Sequence, residues 1–165
     1  MSAKRLLTSL FQYKASVDEE LLAALSESGP SENFESALRV LNHAYIVDRI
    51  FAANLQKKPH GYTASWTIEP PAFGDLASAI RKTDRWYLDY VLQVMPEELG
   101  ETIDFMFADG GQGSMSREEM LAHVITHSGY HRGEVGRLLP EIENTAMRDV
   151  FAGYLHRVEP QRRRQ

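Results

Sequence analysis

The stretch Ser116-Arg-Glu-Glu119-Met-Leu-Ala-His123-Val-Ile-Thr-His127-Ser-Gly-Tyr130-His131-Arg132-Gly133-Glu134-Val135-Gly-Arg-Leu138-Leu-Pro140 predicts one long helix with histidines on its inner face. Ser116 followed by Glu119 has the form of a capping box, in which each side chain satisfies a backbone N–H of the other's turn, so the helix starts near Arg117. Met120, Val124, His127, His131, Val135 and Leu138 then recur at spacings of three and four, the period of one helix face. Pro140 ends the run, because proline has no N–H to continue the hydrogen-bond ladder.

The same period appears upstream. Leu6, Leu10, Tyr13, Val17 and Leu21 form the stripe of a first helix, with Lys4, Lys14 and Glu20 off it, and Ser28-Gly29-Pro30-Ser31 turns the chain. A second helix is predicted from about Asn33 to Gln56, its inward stripe holding Val40, His43, Val47 and Ile50, widened by Leu41, Ala44 and Phe51. Residues 61–71 read as a loop closed by Pro70-Pro71. A third helix is predicted from Gly74 to Met95, with Leu76, Ile80, Trp86 or Tyr87, and Val91 or Leu92 inward, and Pro96 stops it. Thr102 to Phe107 alternates in part and Asp109-Gly110-Gly111 supplies turn residues, so a short strand or small hairpin precedes the fourth helix. A last short helix is predicted at roughly Thr145 to Arg157, with Val150, Phe151, Tyr154 and Leu155. Four long amphipathic segments with short connections make an all-α four-helix bundle. The expected organisation is a single domain over residues 1–160 and a basic tail at 161–165.

Composition narrows the function. The 165 residues are 43% hydrophobic and 25% charged, ordinary for a globular chain, and 18 Lys plus Arg against 23 Asp plus Glu give a formal charge of −5. Mild acidity argues against nucleic acid as a partner, since phosphate binding wants a basic face. With no cysteine, thiolate ligands and thiol nucleophiles are excluded. No apolar run approaches the roughly 20 residues of a membrane span. Gln12, Lys14, Asp18 and Glu19 interrupt any signal-peptide core, so the expected compartment is the cytoplasm. Gly110-Gly111-Gln112-Gly113 lacks the Lys-Ser/Thr of a phosphate loop and reads as a turn. Glu119-x-x-x-His123 has the wrong spacing for a carboxylate-bridged di-iron pair.

The histidines are what remains. Residues four apart on a helix lie on nearly the same face, so two imidazoles can reach one ion through metal–nitrogen bonds of about 2.0–2.1 Å. An isolated pair of this kind is more often a pair of surface or half-buried imidazoles. Here the pair lies on an apolar stripe, where unpaired imidazoles are costly to desolvate, and His43 occupies the apolar stripe of another helix. His123, His127 and His131 drift by about 40° per step, so all three cannot close on one ion. Either 123 with 127 or 127 with 131 can chelate, and spacing alone does not choose.

The segments Leu41-Asn-His43-Ala-Tyr45-Ile-Val-Asp48-Arg49-Ile-Phe51 and His123 to Val135 resemble the DinB/YfiT-like family of small metal-binding proteins, whose pattern is His-x-x-x-His-Arg-Gly-Gln with an upstream His on the second helix. The resemblance runs through nearly the whole chain in helix order. It implies that His43, His127 and His131 are the ligands, with His123 nearby but outside. It implies one divalent ion per chain (zinc, nickel or iron), a DinB-like bundle and a homodimer. It also implies a metal-dependent enzyme, a transferase or hydrolase, acting on a small molecule such as a thiol or a small electrophile; some relatives transfer or isomerise with a low-molecular-weight thiol. A non-catalytic metal-binding or stress-response protein with a structural ion is the alternative. One departure is Glu134, where the family pattern has Gln. Arg132, beside a ligand, is a candidate for binding an anionic group bidentately, or for holding a carboxylate within the bundle. Asp48 either orients a ligand or pairs with Arg49, Arg132 or a helix end. Gly133 suggests close helix packing or substrate access; Tyr130 and Tyr45 line a pocket or fill the core. His60 and His156 read as solvent-facing.

Overall fold

A computed structural model of the chain describes residues 2–140 and 150–163. Four long helices dominate it: α1 (Ala3–Glu27), α2 (Glu32–Leu55), α3 (Phe73–Gln93) and α4 (Arg117–Leu138). The ends of α2, α3 and α4 lie within about two residues of their expected positions, and α1 stops at the expected turn. Ser2, Ser31 and Ser116 cap α1, α2 and α4 through their hydroxyls, and Ser116 and Glu119 make the reciprocal capping box. A 3-10 turn at Pro96–Glu98 leads into the antiparallel strands β1 (Thr102–Met106) and β2 (Gln112–Ser116). Gly110 takes φ +87° in their turn, where side chains are strained. Opposite Phe105 stands Gly113, where a Cβ would come within 2.6 Å of the phenyl ring, so the aromatic lies flat across the hairpin.

Beyond α4 come α5 (Phe151–Val158) and a single helical turn, α6 (Pro160–Arg163). The expected last helix began near Thr145, and residues 145–149 lie outside the described residues. Val150 is extended and caps α5 rather than belonging to it. Phe151 and Tyr154 pack their rings on Tyr13 of α1 at 5.2 and 5.5 Å. No helix among the described residues is long and apolar enough to cross a membrane.

The most extensive helix pairings are α2 with α4, α1 with α3, α1 with α4, and α2 with α3. The ring order is therefore α1-α3-α2-α4, and α2 and α4, which carry the histidines, are direct neighbours. At one end Leu21, Leu22, Leu25, Leu38, Leu76 and Val135 pack together. At the other, Phe11 stacks on Tyr87 at 4.9 Å and the two join Phe51, Val91, Leu99 and Met120. Tyr87 and Val91 are the inward choices on α3, while Leu92 is 59% exposed. On α1 the buried stripe is rotated from the expected one: Leu7 and Phe11 are buried, and Leu6 is 43% exposed.

The rotation brings Lys14, expected off the stripe, to 1% exposure in the bundle centre. Its ammonium meets Asp18 at 2.7 Å, Asp48 at 2.9 Å and Asp84 at 2.6 Å. Arg132 of α4 reaches Asp18 at 2.9 Å, so side chains from α1, α2, α3 and α4 share one buried ionic cluster. Asp48 also accepts from the Ser128 hydroxyl at 3.1 Å, and its backbone carbonyl accepts from Tyr87 at 2.6 Å. The cluster joins the two apolar ends.

Candidate metal centre

His43 comes from the middle of α2, and His127 and His131 from successive turns of α4. Because α2 and α4 pack side by side, the three rings meet: His43 lies 5.1 Å from His127 and 4.6 Å from His131, centroid to centroid, and His127 and His131 lie 4.4 Å apart. One ring nitrogen from each falls within 4.8 Å of the other two. Between His127 and His131 the two Nε2 atoms are 3.1 Å apart. Two nitrogens bound to one tetrahedral ion at about 2.0–2.1 Å would sit roughly 3.3–3.4 Å from each other, so the pair is already at chelating distance.

Two of the rings are oriented from outside. His43 Nδ1 is 3.0 Å from the Ser65 backbone carbonyl, which can only accept, so Nδ1 carries the proton and Nε2 presents its lone pair. His131 Nδ1 is 2.5 Å from a Glu134 carboxylate oxygen, which fixes the same tautomer. An outer acceptor that orients an imidazole and raises its basicity is the usual support of a metal-ligating histidine. His127 lacks one: its Nδ1 is buried without a partner. Burial first, then the neighbouring imidazoles of His131, His123 and His43, lower its pKa to about 3. Burial likewise lowers that of His43. Both rings are neutral at pH 7, the form a divalent ion requires. Lone pairs of neutral imidazoles aimed at one another at this distance repel unless a proton or a cation lies among them. The donor set therefore fits a divalent metal ion, and among the described residues no carboxylate or fourth histidine joins the group.

The model of the DinB family matches residues 1–157. The chain belongs to the DinB family. No curated protein and no solved structure matched it.

In this DinB-family chain the structure brings His131, not His123, together with His43 and His127. His123 is stacked between Phe51 at 4.5 Å and His127 at 5.3 Å. Above the histidines opens a cavity of about 470 Å³, lined by His43, His123 and His127 with residues of α2, the loop 63–66 and the hairpin tip. Trp66 lies flat on His43, centroids 4.0 Å apart and planes within 4°. Its loop is pinned on both sides, by Ser65 accepting from His43 and by Thr67 accepting from Asn42 at 2.8 Å. Sequence reasoning passed over Trp66, since a tryptophan in a stretch without period carries no signal of what it covers. Glu134 was visible three residues from His131, a spacing that puts both on one face.

Other expectations change. Arg132 is 3% exposed and turned into the ionic cluster, away from the cavity, so its reading as an anion-binding group for substrate gives way to its reading as a holder of Asp18. Asp48 is structural as expected, but its partners are Lys14 and Ser128 rather than an arginine. Gly133 is exposed and a Cβ there would meet nothing within 4 Å, so close packing does not explain it. Tyr130 is 67% exposed, edge-on to His131 at 5.0 Å, while Tyr45 is half-buried against the core. His60 is half-buried and links the loop to the hairpin: Tyr62 N–H donates to its Nδ1 at 3.2 Å, so Nε2–H donates to the Met106 carbonyl at 3.1 Å. His156 is exposed as expected.

The departure from the family pattern at Glu134 can be tested. A glutamine amide oxygen accepts the same Nδ1–H, so Glu134→Gln should leave zinc affinity within a few-fold, whereas Glu134→Ala should weaken it about 10–100-fold. Competition with a chromophoric chelator reads both; if Gln is as damaging as Ala, orientation of His131 is not what the residue contributes.

Proposed function

We propose that His43, His127 and His131 hold one divalent ion (zinc, nickel or iron) and that the protein is a metal-dependent enzyme acting on a small molecule. The observation that carries this reading is the convergence, among the described residues, of three imidazoles and no carboxylate ligand beneath an open cavity of about 470 Å³. Three protein ligands leave a coordination position for water or substrate, the pattern of catalytic rather than closed structural sites. When bound, the ion would supply a Lewis-acidic position that favours the anionic form of a thiol or water brought to it. The chain's own residues set the rest. Ser65 and Glu134 aim two ligands, and Phe51 and Trp66 line an apolar wall that limits competing water. The chain has no cysteine, so any sulfur nucleophile is external, and a low-molecular-weight thiol is the co-substrate of a transferase reading.

The test begins with elemental analysis of protein purified without a metal-affinity tag, which should find one ion per chain. Zinc, nickel and ferrous forms are then offered a panel of small thiols with a chromogenic electrophile. Turnover should need the metal and vanish in His43→Ala. If an ion is retained but no thiol binds and water at the ion does not exchange, the enzyme reading fails and a structural ion takes its place.

We also propose a homodimer, supported by the exposed Leu6 (43%), Leu92 (59%) and Met95 (51%) on and beside α1 and α3. Lys4 Nζ donates to the Leu92 carbonyl at 2.9 Å, which puts the start of α1 beside the end of α3. Sedimentation at micromolar concentration should give twice the 18.7 kDa chain mass; the single mass would overturn it.

A further inference from the structure

The cavity above the histidines has a chemical character that the three ligands do not set. Of the thirteen residues that line it, Asp109 alone carries a formal charge, and none is a lysine or arginine. Its walls are hydrocarbon: Val47, Ile50 and Phe51 from α2, Trp66 from the loop, and Phe107 from the hairpin tip. Asp109 sits at that tip, with one carboxylate oxygen accepting from the Gly111 N–H at 2.9 Å, which holds the anionic group at the rim. The nearby cations point elsewhere. Lys57 and Lys58 line the adjoining cavity rather than this one, with Lys57 paired to Glu101, and Arg132 holds Asp18 in the buried cluster.

A ligand entering this space exchanges water for aliphatic and aromatic surface, which favours apolar groups in proportion to the area covered. An anionic group placed there would lose its hydration with no cation to replace it, beside a carboxylate of like charge. An uncharged group meets neither penalty, and an ammonium group has Asp109 as partner. We infer that the cavity selects molecules whose body, beyond any group that reaches the histidines, is apolar and uncharged or cationic, and that it discriminates against anionic ones. This deepens the small-molecule reading of the same site: the walls set the selection for the part of a ligand that they cover, while an ion bound at the histidines would attract an anionic group that reached it. It also separates the thiol proposal from its expected anion clamp: any carboxylate on such a thiol lies outside these walls or reaches the ion itself.

The experiment uses two fluorescent probes with the same aromatic body, N-phenyl-1-naphthylamine, which is uncharged, and 8-anilinonaphthalene-1-sulfonate, which is anionic. Both are titrated into the full chain after chelation of metal, so that the sulfonate has no ion to reach. The uncharged probe should saturate at one per chain and bind about tenfold or more tightly than the sulfonate. Asp109→Asn should narrow that gap, and Trp66→Ala, at a half-exposed loop position, should weaken the uncharged probe several-fold while the helical circular dichroism stays unchanged. Equal or tighter binding of the sulfonate overturns the inference, as does indifference of the uncharged probe to Trp66→Ala, which would put it elsewhere. Zinc uptake measured in parallel separates the two readings. A chain that takes zinc but prefers the sulfonate fails only here, and one that prefers the uncharged probe but takes no zinc fails only the metal reading.

Discussion

Lys14→Ala should lower the unfolding free energy by about 3–5 kcal/mol, because it strips three buried carboxylates of the cation they share. Lys14 is 1% exposed and stands within 2.9 Å of Asp18, Asp48 and Asp84, which are themselves buried. With Lys14 removed, among the described residues only Asp18 keeps a cation at contact distance, Arg132. Against a total stability of about 5–15 kcal/mol, such a loss is large, and for a chain of this size it amounts to a melting temperature lower by roughly 6–20 °C. The control is the exposed pair of Arg81 with Glu19, bidentate at 2.6 and 2.9 Å. Arg81→Ala should cost no more than about 1 kcal/mol, because solvent screens both charges. Thermal denaturation of the two variants side by side decides the matter: equal shifts would mean that the buried cluster contributes nothing special.

The cluster also gives stability a pH dependence whose sign can be worked out. Burial, only partly offset by Lys14, raises the Asp84 carboxyl to about 7. A carboxyl whose folded pKa lies above its unfolded one binds more protons folded than unfolded, so its contribution to stability falls as pH rises from the ordinary carboxylate range through about 7. Asp18 behaves oppositely. Burial disfavours its charge, but Lys14 and Arg132 together outweigh that and lower its pKa, so its contribution is present above the ordinary range and is lost on acidification below it. Between pH 5 and 8 Asp84 acts in the same direction as Asp48, whose carboxyl is also raised by burial. His43, His123 and His127, lowered by burial, oppose both up to the ordinary imidazole range. Asp84→Asn should therefore weaken the fall in melting temperature over that interval relative to the parent chain.

How much of this could be read from the residues differs from element to element. The helices and hairpin were legible because each carries its own period, cap and breaker within a few residues, as in Ser116 to Pro140. Two of the three clustered histidines and His43 were legible as metal-ligand material, because imidazoles on apolar stripes need an explanation. Lys14 was not legible. Its spacing to Asp18 is the ordinary surface i to i+4 pair, and its burial depends on Asp48 and Asp84, which lie 34 and 70 positions away and arrive only when α1 packs among α2, α3 and α4. Arg132 was misdirected for a related reason. Adjacency to His131 in sequence places it about 100° round the helix, which turns it from the cavity to the cluster. The cavity's character came from Trp66, Phe107 and Asp109, on segments whose position is set by tertiary contacts such as His60 with Met106.

His127→Ala should abolish tight binding of a divalent ion, while His123→Ala should leave most of it. Both side chains lie on α4, both line the cavity and both are half-buried, so simple exposure does not separate them. Geometry does. His127 brings a ring nitrogen within 3.1 Å of His131 Nε2 and belongs to the set of three that closes within 4.8 Å, whereas His123 stacks on the outer side of His127 and against Phe51. Removing His127 takes the central donor and leaves His43 and His131 as a two-nitrogen site, which should weaken zinc binding by about a hundredfold or more. Removing His123 takes an aromatic contact and no donor. Titration of each variant against a chromophoric zinc chelator gives the two affinities, and helical circular dichroism shows that each has folded. Equal losses in the two variants would mean that the ligands were wrongly assigned. A larger loss from His123→Ala would point to the pair 123 and 127 that the spacing had left open.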